Sequence, residues 1–132
     1  MAYDHGAFQV RNLDDAIRFY SDKLSFTLLS QDYSEEHQQR WAFLEYNGAR
    51  LELIEALGKP YTPVKPEHPY CPHLCFETED MDQVLHTLHE NGIEIVDGPH
   101  EIPGSERWVY FTDPDMNVLE YIIWYDKQQN DA

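Results

Sequence analysis

Residues 70–85 read YCPHLCFETEDMDQVL, and residues 2–17 read AYDHGAFQVRNLDDAI. With His73 placed over His5, Phe76 falls on Phe8, Asp80 on Asn12, Met81 on Leu13, Asp82 on Asp14 and Leu85 on Ile17. The same shift of 68 residues (73 − 5) carries 5–29 onto 73–97 and 41–54 onto 109–122 without a gap. Seven pairs are identical: His5/His73, Phe8/Phe76, Asp14/Asp82, Phe43/Phe111, Leu51/Leu119, Glu52/Glu120 and Ile54/Ile122. The apolar rhythm matches as well, and self-similarity at one fixed spacing marks a duplicated unit.

Each copy reads as strand, helix and three strands. In the first, DHGAFQV is a strand, and Asn12 caps a helix whose apolar residues Leu13, Ala16, Ile17, Tyr20 and Leu24 recur at helical spacing. FTLLSQDY, RWAFLEY and RLELIEA follow as strands, the last two joined by Asn47-Gly48, a hairpin signal. In the second, Asp80 caps a helix through His89, Gly92 ends it, and IEIVDG, RWVYFT and NVLEYIIW supply strands. The proline-bearing segment 56–70 links module 3–55 to module 71–125, and the tail after Trp124 is expected to fray. These modules predict an α+β fold in which paired β-α-β-β-β units build an eight-stranded, curved-sheet cleft within one domain spanning 1–132.

Composition narrows the function classes. With 9 basic and 25 acidic residues, the formal charge of −16 repels nucleic acid and anionic membranes. No apolar run is long enough to span a bilayer, and MAYDHG lacks the basic and apolar regions of a signal peptide, so a cytoplasmic protein is expected. Cys71 and Cys75 lie too close along one strand for a disulfide and read as reduced thiols. A zinc clamp of Cys71, His73 and Cys75 fails because neighbours on one strand cannot surround an ion.

The interval from His5 to Glu52 equals that from His73 to Glu120, 47 residues in each copy (52 − 5 and 120 − 73). Each His opens a first strand, and each Glu lies in an apolar last strand, LELI or LEYI. One such Glu is explained by simple alternation toward water. Two at matching sites, each with a His at equal distance, point instead to two imidazoles and two carboxylates on one divalent ion: Zn²⁺, Ni²⁺, Co²⁺, Mn²⁺ or Fe²⁺. An octahedral ion would keep two positions for water or substrate.

The H-x5-NLDDAIRFYSDKLSF opening, the FTDPDMNVLEYI ending and the tandem units resemble the vicinal-oxygen-chelate superfamily, which includes glyoxalase I, methylmalonyl-CoA epimerase, extradiol dioxygenases and fosfomycin-resistance proteins. The resemblance covers about residues 3–124 and implies His5, Glu52, His73 and Glu120 as metal ligands. Glu52 as a fourth ligand resembles glyoxalase I and the epimerase rather than the two-His, one-Glu members, and so implies a lyase or isomerase, lactoylglutathione lyase-like or epimerase-like. Glu120 and Glu52 are the candidates to move the proton, Glu120 being favoured on the family's pattern. The glyoxalase positions that contact glutathione hold Gln9 and Ala56 here, so glutathione specificity is not carried over. Met116 replaces the usual Gly of DPDG and should affect the turn more than the metal.

The implied partner is a small substrate with two neighbouring oxygens, and small members commonly form homodimers. Gln9, Cys75 and Glu77 share strand faces with the two His residues and are candidates for substrate binding, as are Trp108 and Tyr110. Cys75 also suits a buried apolar position. Trp41, matching Trp108, reads equally as core or substrate wall. His37, His68, His86, His89 and His100 read as solvated. The alternatives are a metal-free, drug-sequestering protein of the bleomycin-resistance type and an extradiol dioxygenase.

Overall fold

The computed structural model describes residues 1–67 and 72–125. His68, Cys71, the end of the expected linker and the tail from residue 126 lie outside the described residues. The chain divides into two compact units: Met1–Lys65 with the loop Pro114–Asn117, and the remaining described residues.

The first unit holds β1 (Gly6–Gln9), α1 (Leu13–Arg18), β2 (Thr27–Ser34), β3 (Gln39–Tyr46) and β4 (Ala49–Ala56). Its sheet has the order β1-β4-β3-β2, with β1 parallel to β4 and the others antiparallel. Alternation decides the two faces of β4. Leu51 and Leu53 are fully buried, as are Ala42 and Leu44 of β3, whereas Glu52 and Ile54 are half-buried on the other face. Helix α1 packs on β3 and β4 and contributes buried Leu13 and Ala16. Asn12 caps it, its side chain accepting from the Asp15 N–H at 2.9 Å.

The helix is shorter than its apolar spacing predicts. After Arg18 the chain widens into a π-helical turn over Phe19–Lys23. Phe19 and Tyr20 are thereby both buried, and Ile17 stays only half-buried. The Phe26 N–H closes the turn on the Tyr20 carbonyl at 2.9 Å, after Ser25 at φ 62°. The Asn47-Gly48 hairpin forms as expected, both residues left-handed at φ 50° and 86°.

The second unit repeats the plan with β5 (His73–Glu77), α2 (Met81–Glu90), β6 (Ile95–Ile102), β7 (Glu106–Thr112) and β8 (Val118–Trp124), in the order β5-β8-β7-β6. The repeat reaches single hydrogen bonds. The Val10 N–H meets the Ile54 carbonyl at 2.9 Å and the Thr78 N–H meets the Ile122 carbonyl at 2.8 Å. Asp80 caps α2 through the Gln83 N–H at 3.0 Å, as Asn12 caps α1. Gly92 is left-handed after the helix, at φ 67°.

One alignment does not survive. The gap-free shift pairs Phe43 with Phe111, but the ladders place Phe43 opposite Glu52 and Tyr110 opposite Glu120. The third strands are therefore related by 67 residues (110 − 43), which sets Arg40 on Arg107 and Trp41 on Trp108. Side-chain contacts agree: Arg40 reaches Asp14 at 3.0 Å, and Arg107 reaches Asp82 at 3.3 Å. The physical reason is the hairpin. Two residues separate β3 from β4, whereas Asp113–Asn117 separate β7 from β8, so one residue is absorbed in the turn.

Candidate functional site

On the helix-free face of each sheet stands a His–Glu pair. His5 Nε2 lies 3.1 Å from Glu52 Oε1, and His73 Nε2 lies 3.0 Å from Glu120 Oε1. The parallel pairing of first and last strands builds both: Ala7 is the ladder partner of Glu52, and Cys75 is that of Glu120. Since side chains two apart share a face, the residue two before each ladder partner, His5 or His73, projects beside the glutamate. The glutamates are thus placed by alternation and also compensated. Each carboxylate is partly withdrawn from water, its side chain 18% exposed at Glu52 and 10% at Glu120, and the imidazole beside it offers a polar partner.

An aromatic ring from the third strand supports each imidazole edge-on. His5 meets Phe43 with ring centroids 5.0 Å apart, and His73 meets Tyr110 at 5.2 Å, the planes nearly perpendicular in both. Tyr110 is buried, so this candidate substrate contact packs directly on the candidate ligand. Trp108 lies two pairs further along the ladder and so on the same face, opposite Ile122, as Trp41 lies opposite Ile54.

The surroundings differ. His5 Nδ1 is 2.6 Å from Asp4 Oδ2, and Arg50 Nη1 is 3.3 Å from both Asp4 oxygens. The Asp4 hydrogen bond raises the His5 pKa most, partial desolvation opposes it, and Glu52 adds to the rise. Asp4 is lowered, first by its bond to His5 and then by Arg50. At His73, by contrast, Nδ1 is buried and has no hydrogen-bond partner among the described residues. Glu120 is the more enclosed carboxylate, its side chain 10% exposed against 18% for Glu52.

Gln9 and Glu77 are exposed on the strand faces of the His residues, as the spacing predicts. Cys75 corrects one expectation: it is exposed rather than a buried apolar filler, because it sits on the helix-free face. Its thiol is nevertheless held far above the ordinary range, chiefly by local desolvation and then by the adjacent Glu120 carboxylate. His86 and His89 are exposed on α2, and His100 pairs with Asp97 at 2.8 Å.

Sequence pattern missed Asp4, Arg50 and the Arg11–Asp115 clamp. Arg11 donates to Asp115 Oδ1 through both its backbone N–H and Nε, each at 2.9 Å, and through Nη2 to the Pro114 carbonyl at 2.7 Å. Asn117 Nδ2 donates to the Gln9 carbonyl at 3.0 Å. Through these bonds the loop Pro114–Asn117 is held at the junction of β1 and α1. An acidic residue directly before a candidate ligand was the one available signal for Asp4.

The donors suit a divalent cation, since each unit aligns one imidazole nitrogen with one carboxylate oxygen. Among the described residues, however, no group of three or more His, Cys, Asp or Glu side chains gathers around one point. Neither pair alone completes a ligand set.

Residues 2–121 match the profile of the Glyoxalase/Bleomycin resistance protein/Dioxygenase superfamily. The protein YwkD of Bacillus subtilis (strain 168) is 30% identical over 117 residues, 88% of this chain and 91% of that protein. Metallothiol transferase FosB of Staphylococcus epidermidis is 30% identical over 120 residues, 89% of this chain and 78% of that protein. A mutant of the fosfomycin resistance protein FosX from Listeria monocytogenes, solved with Mn(II) and 1S,2S-dihydroxypropylphosphonic acid, shares the fold with a TM-score of 0.75 at 16% identity, covering 99% of this chain and 98% of that one. Within the described residues no helix is long and apolar enough to cross a membrane. A profile match over nearly the whole chain, two sheets of like order and the duplicated His–Glu pairs agree: the chain belongs to the Glyoxalase/Bleomycin resistance protein/Dioxygenase superfamily.

Proposed function

We propose that this chain is a metal-dependent enzyme that moves a proton within a small substrate bearing two neighbouring oxygens, of the glyoxalase-like lyase or isomerase kind. The observation that carries the proposal is the repeated pair, Nε2 to Oε1 at 3.1 and 3.0 Å, on two helix-free sheet faces. The two copies keep few residues in common, yet both keep the His, the Glu and their contact, as one cation needing four donors would require. His5, Glu52, His73 and Glu120 are the proposed ligands, two from each unit, joined within one chain or between the chains of a homodimer. Two similar proteins support the choice: FosB is named a metallothiol transferase, and FosX was solved with Mn(II).

When bound, a divalent cation would supply Lewis acidity toward the two substrate oxygens. The chain supplies the rest. Glu120, the more enclosed carboxylate, takes the proton from one substrate carbon and returns it to the other. His73 and His5 each set Nε2 beside the glutamate Oε1, at 3.0 and 3.1 Å, so that each pair presents one nitrogen and one oxygen side by side. Trp108 and Trp41 border the substrate with flat apolar faces, and Gln9 and Glu77 offer polar contacts further along the strands.

The test is metal content of tag-free protein, followed by thermal shifts with Ni²⁺, Zn²⁺ and Mn²⁺. One cation per chain, a rise in Tm, and loss of that rise in His5→Ala and in His73→Ala are expected. Absence of metal and of any shift, or shifts unchanged in both variants, would overturn the proposal in favour of sequestration. The likeness to FosB favours a second reading, transfer of a thiol to a small substrate. Solvent deuterium entering a 2-hydroxy ketone, hemithioacetal or acyl thioester separates proton transfer from thiol consumption.

A further inference from the structure

We propose that Asp4 is a positioning residue that fixes the His5 ring with Nε2 toward the cation, an inference that rests on the proposed metal function. His5, Asp4, Arg50 and Phe43 form a closed circuit. Its Nδ1 contacts Asp4 Oδ2 at 2.6 Å, and Arg50 holds both Asp4 oxygens at 3.3 Å. The Arg50 guanidinium lies 4.9 Å over the Phe43 ring, and that ring meets His5 edge-on. With the Nδ1 hydrogen donated to a carboxylate, the ring turns only Nε2 toward Glu52, and the nearby negative charge strengthens that nitrogen as a donor to a metal.

The second unit supplies the control. At the 68-residue shift, Asp4 becomes Pro72 and Arg50 becomes Val118, neither of which can accept or donate through its side chain. Tyr110 keeps the ring contact, but His73 Nδ1 is buried without a partner among the described residues. The circuit is therefore a property of one half of the repeat and not of the fold. Asp4 and Arg50 are separated by 46 residues and meet because β1 and β4 lie side by side.

The experiment compares wild type, Asp4→Ala and Asp4→Asn by calorimetric Zn²⁺ binding and by ¹⁵N imidazole NMR of the zinc-loaded protein. Asp4→Ala should weaken Zn²⁺ binding about tenfold, the lower end of the usual range because Asp4 is exposed. Asp4→Asn, which retains an acceptor, should recover part of the loss. The His5 Nδ1–H resonance should be sharp in wild type and broadened by exchange in Asp4→Ala, with the metal-free Tm unchanged. Zinc affinity within twofold of wild type in Asp4→Ala, with the resonance unaltered, would overturn this inference alone. A wild-type chain that binds no zinc would overturn the proposed function along with it.

Discussion

His5 and His73 hold the same bond to a glutamate at the same rung of the same kind of ladder, yet they sit in different chemical settings. The first is tied through Asp4 and Arg50 to an exposed, charged surround. The second is more enclosed, and one of its nitrogens has no partner among the described residues. Duplication fixed the placement of the pair, because placement follows from strand register. The surround follows from side chains that register does not constrain, and there the copies have diverged. Under the proposed function, one copy contributes a firmly held imidazole and the other the drier carboxylate, which separates metal retention from proton transfer.

The largest effect that could break this contrast is catalytic. Glu120→Gln should retain most of the bound metal yet lose at least about a hundredfold in turnover, the usual scale for a general base. Glu52→Gln should lose less turnover. Metal analysis beside kcat for the two variants decides: greater damage from Glu52→Gln would reverse the division of labour between the halves.

A loop present in only one hairpin gives the next effect. Asp115 is buried and accepts both the backbone N–H and the side chain of Arg11. The equivalent of Arg11 in the second copy is Glu79, which has no cationic side chain to donate. Asp115→Ala leaves the Arg11 N–H without its acceptor and should lower stability by about 1–3 kcal/mol. Urea denaturation checks it, and a loss near zero would mean that water replaces the carboxylate there.

How far these features were legible before the structure depends on their range. The module order, the Asn12 and Asp80 caps and the Asn47-Gly48 turn are local signals, and each formed. The His–Glu pairs were legible because period-2 alternation and an equal interval act together. The register of the third strand was misread through the Phe43/Phe111 identity, although Arg40-Trp41 over Arg107-Trp108 marked the true offset. A one-residue slip reverses the two faces of a strand, so the ladder was needed to choose between them. The π-helical turn after Arg18 and the exposure of Cys75 depend on packing that no short pattern encodes. Asp4 and Arg50 lie 46 residues apart, with no periodicity joining them.

The smallest effect sharpens the comparison at one backbone position. Gly48 and Met116 are equivalent under the 68-residue shift, and both are left-handed, at φ 86° and 64°. Glycine occupies that region freely, whereas a side chain there costs roughly 1–2 kcal/mol. Gly48→Ala should therefore lower stability by about 1 kcal/mol through the backbone alone, since a Cβ at Gly48 would meet nothing within 4 Å. Met116→Gly should raise it by somewhat less, because relief of the backbone is partly offset by loss of a half-buried side chain. The two variants should thus shift the urea midpoint in opposite directions. If Met116→Gly instead destabilises, packing of the methionine outweighs the strain. The departure from glycine would then be a stabilising feature of this hairpin, whose loop is longer than the two-residue turn in the other copy.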